Sequence, residues 1–321
     1  MNDNATRKLV IIPYAELVGY KTGANVQNVK NRVEMYMKNC SVACISARAV
    51  SPDDTDVMLV SNVDISEPYK TLLDKNGVLV RKIPFDCFDF DSNYTWSLAF
   101  YKLCALRALV NKAEYDYYAY FDADVYFQHS IDNVWEECND HIMLYDISHG
   151  LQVPDYCVFL NEVELYLGER RHITHYGGEF FAASSDNAKV FSQKCYDIYL
   201  SMMERNIVTT KGDEYIVSIA ADLMKQNVKN ASAYVYRFWS GISFRLVSTC
   251  YKYNAVSVLH VPAEKTQGII RLFDRYICKS KIPARTAVYR ALHFKHVSVI
   301  GLAKSTVGIC LRKIIKKIIK K

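Results

Sequence analysis

The first 135 residues alternate short apolar runs with stretches of helical spacing, and this alternation restricts the fold more than any other feature. LVIIPY (9–14), DVMLVSNV (56–63) and VLVRKIPF (78–85) read as strands. Between the first two, NVQNVKNRVEMYMKN (25–39) places Val26, Val29, Val33, Tyr36 and Met37 at helical spacing. SEPYKTLLDKNG (66–77) carries helix punctuation: a starting serine, an early proline and a closing glycine. WSLAFYKLCALRALVNK (96–112) predicts another helix, and the apolar, aromatic stretch YDYYAYFDADVYFQ (115–128) then reads as a buried strand. Repeats of this kind predict an α/β domain with a mostly parallel central sheet flanked by helices. The second half is less regular. Strands are expected at HIMLYDI (141–147), GEFFAAS (178–184) and AVSVLHV (255–261), with a helix over AKVFSQKCYDIYLSMMER (188–205).

Charge is distributed unevenly. The net formal charge is +6, yet no acidic residue follows Asp274 while thirteen Lys and Arg do, which leaves the first 274 residues at about −7. A basic tail on an acidic body argues against a general nucleic-acid binder and for a local device that meets an anionic surface. In GICLRKIIKKIIKK (308–321), Leu311, Ile314, Ile315, Ile318 and Ile319 form one helical stripe opposite lysines. Such a helix lies in the plane of an anionic membrane; the other reading is a helix packed on the body. Tyr289, His293, Phe294 and His296 extend the same character. The start lacks a signal-peptide layout, no run of about 18 apolar residues occurs, and the ten cysteines form no CxxC pair. The expectation is a cytoplasmic protein, peripheral on the inner face of a membrane. Its body would span 1–274, with halves at about 1–135 and 136–274, and its tail 275–321.

The acids inside the buried strand raise the functional question. Asp122 and Asp124 stand two apart, and on a continuing strand they would share a face. Two unpaired carboxylates there are costly to bury and repel one another. A divalent ion relieves both problems, since Mg²⁺ or Mn²⁺ takes one or two carboxylates and keeps positions for substrate phosphates. The plainer reading is a pair of turn-capping aspartates.

YDYYAYFDADVYFQHSIDNVWE (115–136) resembles the metal-site segment of GT-A fold glycosyltransferases, closest to family 8, which includes glycogenin and bacterial lipopolysaccharide galactosyl- and glucosyltransferases. The resemblance implies a GT-A, Rossmann-like fold. It also implies Mn²⁺ or Mg²⁺ on the diphosphate of a sugar nucleotide, through Asp122, Ala123 and Asp124. VIIPYAELVGYKTGANVQNVKN (10–31) is similar to the opening strand and loop, and it implies that Ile12, Pro13 and Tyr14 lie by the base, with Tyr20 also on the donor. Lys102 and Arg107 match a basic helix that approaches the nucleotide. The third metal ligand would be His260, with Lys265 as clamp on the leaving diphosphate, although the family's usual neighbours are replaced by Val261 and Pro262. Without the resemblance, His260 is better explained as a satisfied histidine at a strand end.

Asp213 and Glu214 in GDEY (212–215), together with Glu179, are the carboxylates expected to stabilise the sugar cation or take the acceptor's proton. Asp213 and Glu214 also suit a helix N-terminus by charge alone. The implied reaction is hexosyl transfer from a nucleotide-diphosphate donor, with UDP as the carrier and retained stereochemistry, to a glycan or glycolipid acceptor. The alternatives are a sugar nucleotidyltransferase, disfavoured because PYAELVGYKTGA is poor in glycine, and a non-catalytic membrane-associated protein with a degenerate transferase fold.

Overall fold

The structure is a computed structural model that describes residues 6–17, 31–91, 93–148, 154–224, 227–238 and 251–294. The expected alternation is present. Strand β1 (Lys8–Tyr14) leads to helix α1 (Arg32–Val50), β2 (Thr55–Ser61), α2 (Glu67–Lys75) and β3 (Leu79–Lys82). A 3₁₀ turn (Ser97–Phe100) opens α3 (Tyr101–Val110), which feeds β4 (Tyr117–Phe121). Next come β5 (Val125–Phe127), α4 (Asp132–Glu137), β6 (Ile142–Asp146), α5 (Pro154–Leu167), β7 (Tyr176–Ser184), α6 (Ser185–Glu204) and α7 (Asp213–Leu223). Strands β8 (Val228–Asn230), β9 (Val235–Arg237) and β10 (Val258–His260) precede α8 (Gly268–Arg275) and α9 (Arg285–Ala291).

Seven strands form the main sheet in the order β3-β2-β1-β4-β7-β6-β8. It is mostly parallel; only the two pairings of β7, with β4 and with β6, are antiparallel. A small second sheet has the order β5-β10-β9. The chain builds outward from β1 through β2 to β3, then returns to lay β4 on the other side of β1. The crevice at the carboxyl ends of β1 and β4 is therefore the topological switch point, where ligands bind in open α/β sheets.

The continuous apolar run in β1 follows from cover on both faces. Val10 and Ile12 belong to one core, with side chains of α1, β5, β10 and α8; Leu9 and Ile11 belong to the other, with side chains of α3, α5, α6 and α7. Three expectations change. The first helix, expected over 25–39, runs over Arg32–Val50, past its expected end, and residues 25–30 lie outside the described residues. Its weak amphipathic pattern has a cause: residues from Cys40 to Ala47 are all buried, because the helix is enclosed between the sheet and β5 and α8. Second, β4 does not continue through the aspartates. It stops at Phe121, and the chain crosses at Asp122–Asp124 into the small sheet. Third, the composition break near residue 275 is not the edge of the folded body, because Ile277, Val288, Tyr289, Leu292 and Phe294 join the core. His293 meets Glu264 at 2.8 Å, so this stretch packs on the body. His296 and the amphipathic segment 308–321 lie outside the described residues. Among the described residues, no helix is long and apolar enough to cross a membrane.

Candidate functional site

A pocket of about 380 Å³ opens at the switch point. Pro13 and Tyr14 line it from the end of β1, Tyr36 from α1, Lys102 from α3, and Asp122, Ala123 and Asp124 from the crossing between sheets. Glu179 and Gly178 come from β7, Asp213 and Glu214 from α7, and Lys265 from the turn after β10. Residues separated by as many as 252 positions in sequence thus share one cavity.

Asp122 and Asp124 have different surroundings. Asp122 is partly exposed and accepts a 2.6 Å hydrogen bond from Lys102 Nζ. Asp124 is buried; His260 Nε2 stands 3.3 Å from its Oδ2 and Lys265 Nζ 3.2 Å. Both contacts are ion pairs rather than aligned hydrogen bonds, and Oδ2 keeps no hydrogen-bond partner. The Asn39 side chain on α1 donates to the Lys265 backbone carbonyl at 3.0 Å, which ties the lysine to the body. Burial raises the Asp124 carboxyl, but Lys265 and His260 outweigh it and hold Asp124 well below the usual carboxylate range.

His260 is sandwiched between two carboxylates, with Nδ1 3.4 Å from Glu179 Oε1. Burial lowers its pKa, yet Asp124 and Glu179 prevail and lift it to about 9. Glu179 in turn receives two 2.7 Å hydrogen bonds from Arg237 Nε and Nη2. Burial pushes Glu179 up, and Arg237 and His260 together pull it far below normal. A carboxylate so held is a poor proton acceptor. Glu179, expected among the acid–base candidates, is better placed to orient His260.

Lys102 is one ammonium shared by two acids. It bonds Asp122 and the Gly178 carbonyl (2.9 Å) and stands 3.2 Å from Asp213 Oδ2. One positive charge does not satisfy two carboxylates. Burial raises Asp213, Lys102 pulls it back, Asp122 and Glu214 add repulsion, and its pKa comes to about 7. Asp213 can approach β7 because Gly178 has no side chain; a Cβ there would sit 1.8 Å from Asp213 Oδ2. Gly212 before it has φ +66 and lies against Trp96, so glycine is required there as well. Glu214 is contacted by His175 and Arg237, each at 3.4 Å.

These residues fit a divalent ion. One donor atom each from Asp122, Asp124 and His260 lie within 4.8 Å of one another. Once His260 gives up its proton to ligate, five carboxylates (Asp122, Asp124, Glu179, Asp213, Glu214) face three permanent cations (Lys102, Lys265, Arg237), a balance that a dication completes; without metal, the proton on His260 takes up part of it. Two carboxylates with one imidazole suit Mn²⁺, and Mg²⁺ less closely. Glu179 on the far nitrogen of His260 is the outer carboxylate that orients a ligating imidazole.

Not every expected residue is here. Arg107 leans over Tyr196 (4.1 Å to the ring centre) and donates to Gln193, away from the pocket, because it faces α6 from the last turn of α3. Ile12 is fully buried and points into the core. Tyr20 lies outside the described residues. Arg237, His175, Tyr36 and Trp96 escaped sequence reasoning as site residues: Arg237 and His175 sit in a short strand and an irregular stretch, while Tyr36 and Trp96 read only as parts of helices. Comparison with protein-family models gives no match, and neither does a search of curated proteins.

Proposed function

We propose that the chain is a metal-dependent glycosyltransferase of the GT-A fold, moving a sugar from a nucleotide-diphosphate donor to a glycan or glycolipid acceptor. One observation carries this reading: Asp122, Asp124 and His260 converge beside Lys265 at the carboxyl ends of β1 and β4, in the pocket at the switch point. The parallel run β3-β2-β1-β4 and the small second sheet holding His260 suit the GT-A assignment. Among family 8 enzymes the resemblance further implies a UDP-sugar donor and retention.

A divalent cation held by Asp122, Asp124 and His260 would supply charge neutralisation at the diphosphate as it leaves the anomeric carbon. Lys265 adds a fixed ammonium beside it, where negative charge grows in the transition state. Tyr14 and Tyr36 offer aromatic surface at the β1 end, suited to a nucleobase. Asp213, with a pKa of about 7, can both donate and accept a hydrogen bond at neutral pH, which suits a sugar hydroxyl. Glu214 lines the same cavity and is the remaining carboxylate near the reacting centre.

An anionic membrane surface is the partner we assign to the basic end of the chain. Exposed Arg275, Lys279, Lys281, Arg285 and Arg290 flank half-exposed Ile282 in sequence, with no acid among the residues after Asp274. An enzyme held at the inner face of a membrane would meet a lipid-linked acceptor there.

Release of nucleoside diphosphate from a panel of sugar nucleotides, with Mn²⁺ or with chelator, tests the reading. Turnover of one donor that needs metal, and is lost when Asp122→Ala and Asp124→Ala are combined, is the expected result. No turnover and no metal-dependent nucleotide binding across the panel would sink it.

A further inference from the structure

A second cluster of ligating side chains stands apart from the pocket. Asp86 and Cys87 lie in the segment between β3 and α3, and Cys104 lies on α3 itself. One donor atom from each falls within 4.8 Å of the other two. Cys104 Sγ is 3.5 Å from Asp86 Oδ1 and 3.5 Å from the Pro84 carbonyl oxygen, and the two thiol sulfurs lie within 4.8 Å of each other. The three are graded in depth: Asp86 is exposed, Cys87 intermediate and Cys104 buried, so an ion has a path in from solvent.

The backbone is bent to make this arrangement. Phe88 takes φ +59, a left-handed conformation that a bulky side chain rarely adopts, and it is fully buried. Its ring is clamped between Tyr196 (5.7 Å) and Tyr199 (5.2 Å) of α6, and the Tyr199 hydroxyl donates to the Asp89 carbonyl at 3.0 Å. The turn is thereby pinned with Asp86 and Cys87 against Cys104.

We propose that Asp86, Cys87 and Cys104 form a binding site for a zinc-class divalent ion, independent of the Asp122–Asp124–His260 set. The two thiolates are soft donors and select Zn²⁺ over Mg²⁺ or Mn²⁺, and the carboxylate is a donor that zinc also accepts. In a tetrahedral site, bonds of about 2.3 Å to sulfur and about 2.0–2.2 Å to oxygen set the donors about 3.6–3.8 Å apart; Cys104 Sγ and Asp86 Oδ1, at 3.5 Å, already stand at that spacing, and the Cys87 thiol, within 4.8 Å of both, closes onto them as the ion binds. Binding replaces two S–H bonds with two S–Zn bonds and releases both protons to solvent; no electrons are transferred. Three protein donors leave a fourth position for water. The ion would join the segment after β3 to the helix that carries Tyr101 and Lys102 into the pocket, bracing that wall from behind.

Cobalt(II) titration of the full chain, reduced, stripped with chelator and kept free of oxygen, tests this without any assay of transfer. The pocket set has no sulfur, so a near-ultraviolet thiolate-to-cobalt charge-transfer band reports only a thiolate site. One equivalent of Co²⁺ should generate the band, Zn²⁺ should displace it, and Zn²⁺ should raise the melting temperature. Cys87→Ser should abolish both effects, Asp86→Asn should weaken binding, and Cys278→Ser, at an exposed thiol elsewhere, should change neither. Because Cys104 is buried, the partly exposed Cys87 carries the test. Absence of the band, its persistence in Cys87→Ser, or formation of a Cys87–Cys104 disulfide in air by a protein with no metal affinity would each overturn the proposal.

Discussion

At the scale of single residues, Asp122 and Asp124 show how neighbours two positions apart acquire different tasks. Asp124 compensates buried His260 and partly buried Lys265, so removing it strips Lys265 of its close carboxylate and leaves His260 with Glu179 alone. Asp124→Ala should destabilise the fold by about 3–5 kcal/mol, the usual consequence of breaking a buried pair. Asp122→Ala, at a partly exposed side chain, should be much milder in the same urea titration. Both should lose Mn²⁺ binding by calorimetry; retention in either would remove that residue from the ligand set. The histidine makes a further prediction. With a pKa of about 9 in the metal-free protein, His260 must lose a proton to ligate. Apparent Mn²⁺ affinity should therefore rise about tenfold per pH unit between pH 7 and 9 and then level off. A flat profile would mean that the imidazole is not a ligand.

Elements matter through how closely they approach. Strand β7 and helix α7 meet at Gly178, where the carboxylate of Asp213 occupies the space a side chain would need. Gly178→Ala should push Asp213 away from Lys102, lower activity at least as much as Asp213→Ala, and leave the circular dichroism of the sheet unchanged. An alanine variant with unaltered kinetics would show that this contact is not used. The crossing from β4 to β5 is the other decisive junction. The sequence run YAYFDADVYF looks like one strand, since nothing in its apolar character marks a change of partner. The break at Asp122 becomes visible only once β4 pairs with β1 and β7 while β5 pairs with β10.

For the whole molecule, the boundary near residue 275 was the clearest composition signal and a misleading guide to folding. Ending the chain after Asp274 would delete Ile277, Val288, Tyr289, Leu292 and Phe294 from the core. At about 1.5–3 kcal/mol for each large buried side chain, the loss rivals the entire stability of a typical domain of about 5–15 kcal/mol. That fragment should be insoluble or unfolded. A chain ending after Phe294 should melt cooperatively and, if the basic segment is the membrane contact, lose binding to anionic vesicles. Stability should also depend on pH in a defined sense. Asp213 (about 7 against 3.8) and His260 (about 9 against 6.5) have raised pKa values in the fold, so their contributions are lost as pH rises through 7 and 9. Asp124 and Glu179 are depressed, so theirs are lost as pH falls below their ordinary values of 3.8 and 4.5. Metal-free protein should be most resistant to urea near pH 4.5, lose the Asp213 contribution as pH rises toward 7 and that of His260 between about 6.5 and 9, and be weaker by several kcal/mol at pH 9. A maximum above pH 8 would contradict the charge network.

The alternation of apolar runs with helical spacing was enough to place most of the sheet and its helices, because local propensity and burial on both faces leave a direct imprint on residue order. It was also enough to single out Asp122 and Asp124, since charge in an apolar strand demands a reason, whereas His260, Lys265, Lys102 and Asp213 were named only through the resemblance to GT-A enzymes. Which carboxylate pairs with which cation left no such imprint. The bidentate Arg237–Glu179 contact, the sharing of Lys102 between Asp122 and Asp213, the turn of Arg107 away from the pocket and the packing of residues 277–294 onto the body all join positions far apart in the chain. Such pairings depend on distances set when the sheets close around β1, and distance between remote residues is decided by the tertiary fold alone.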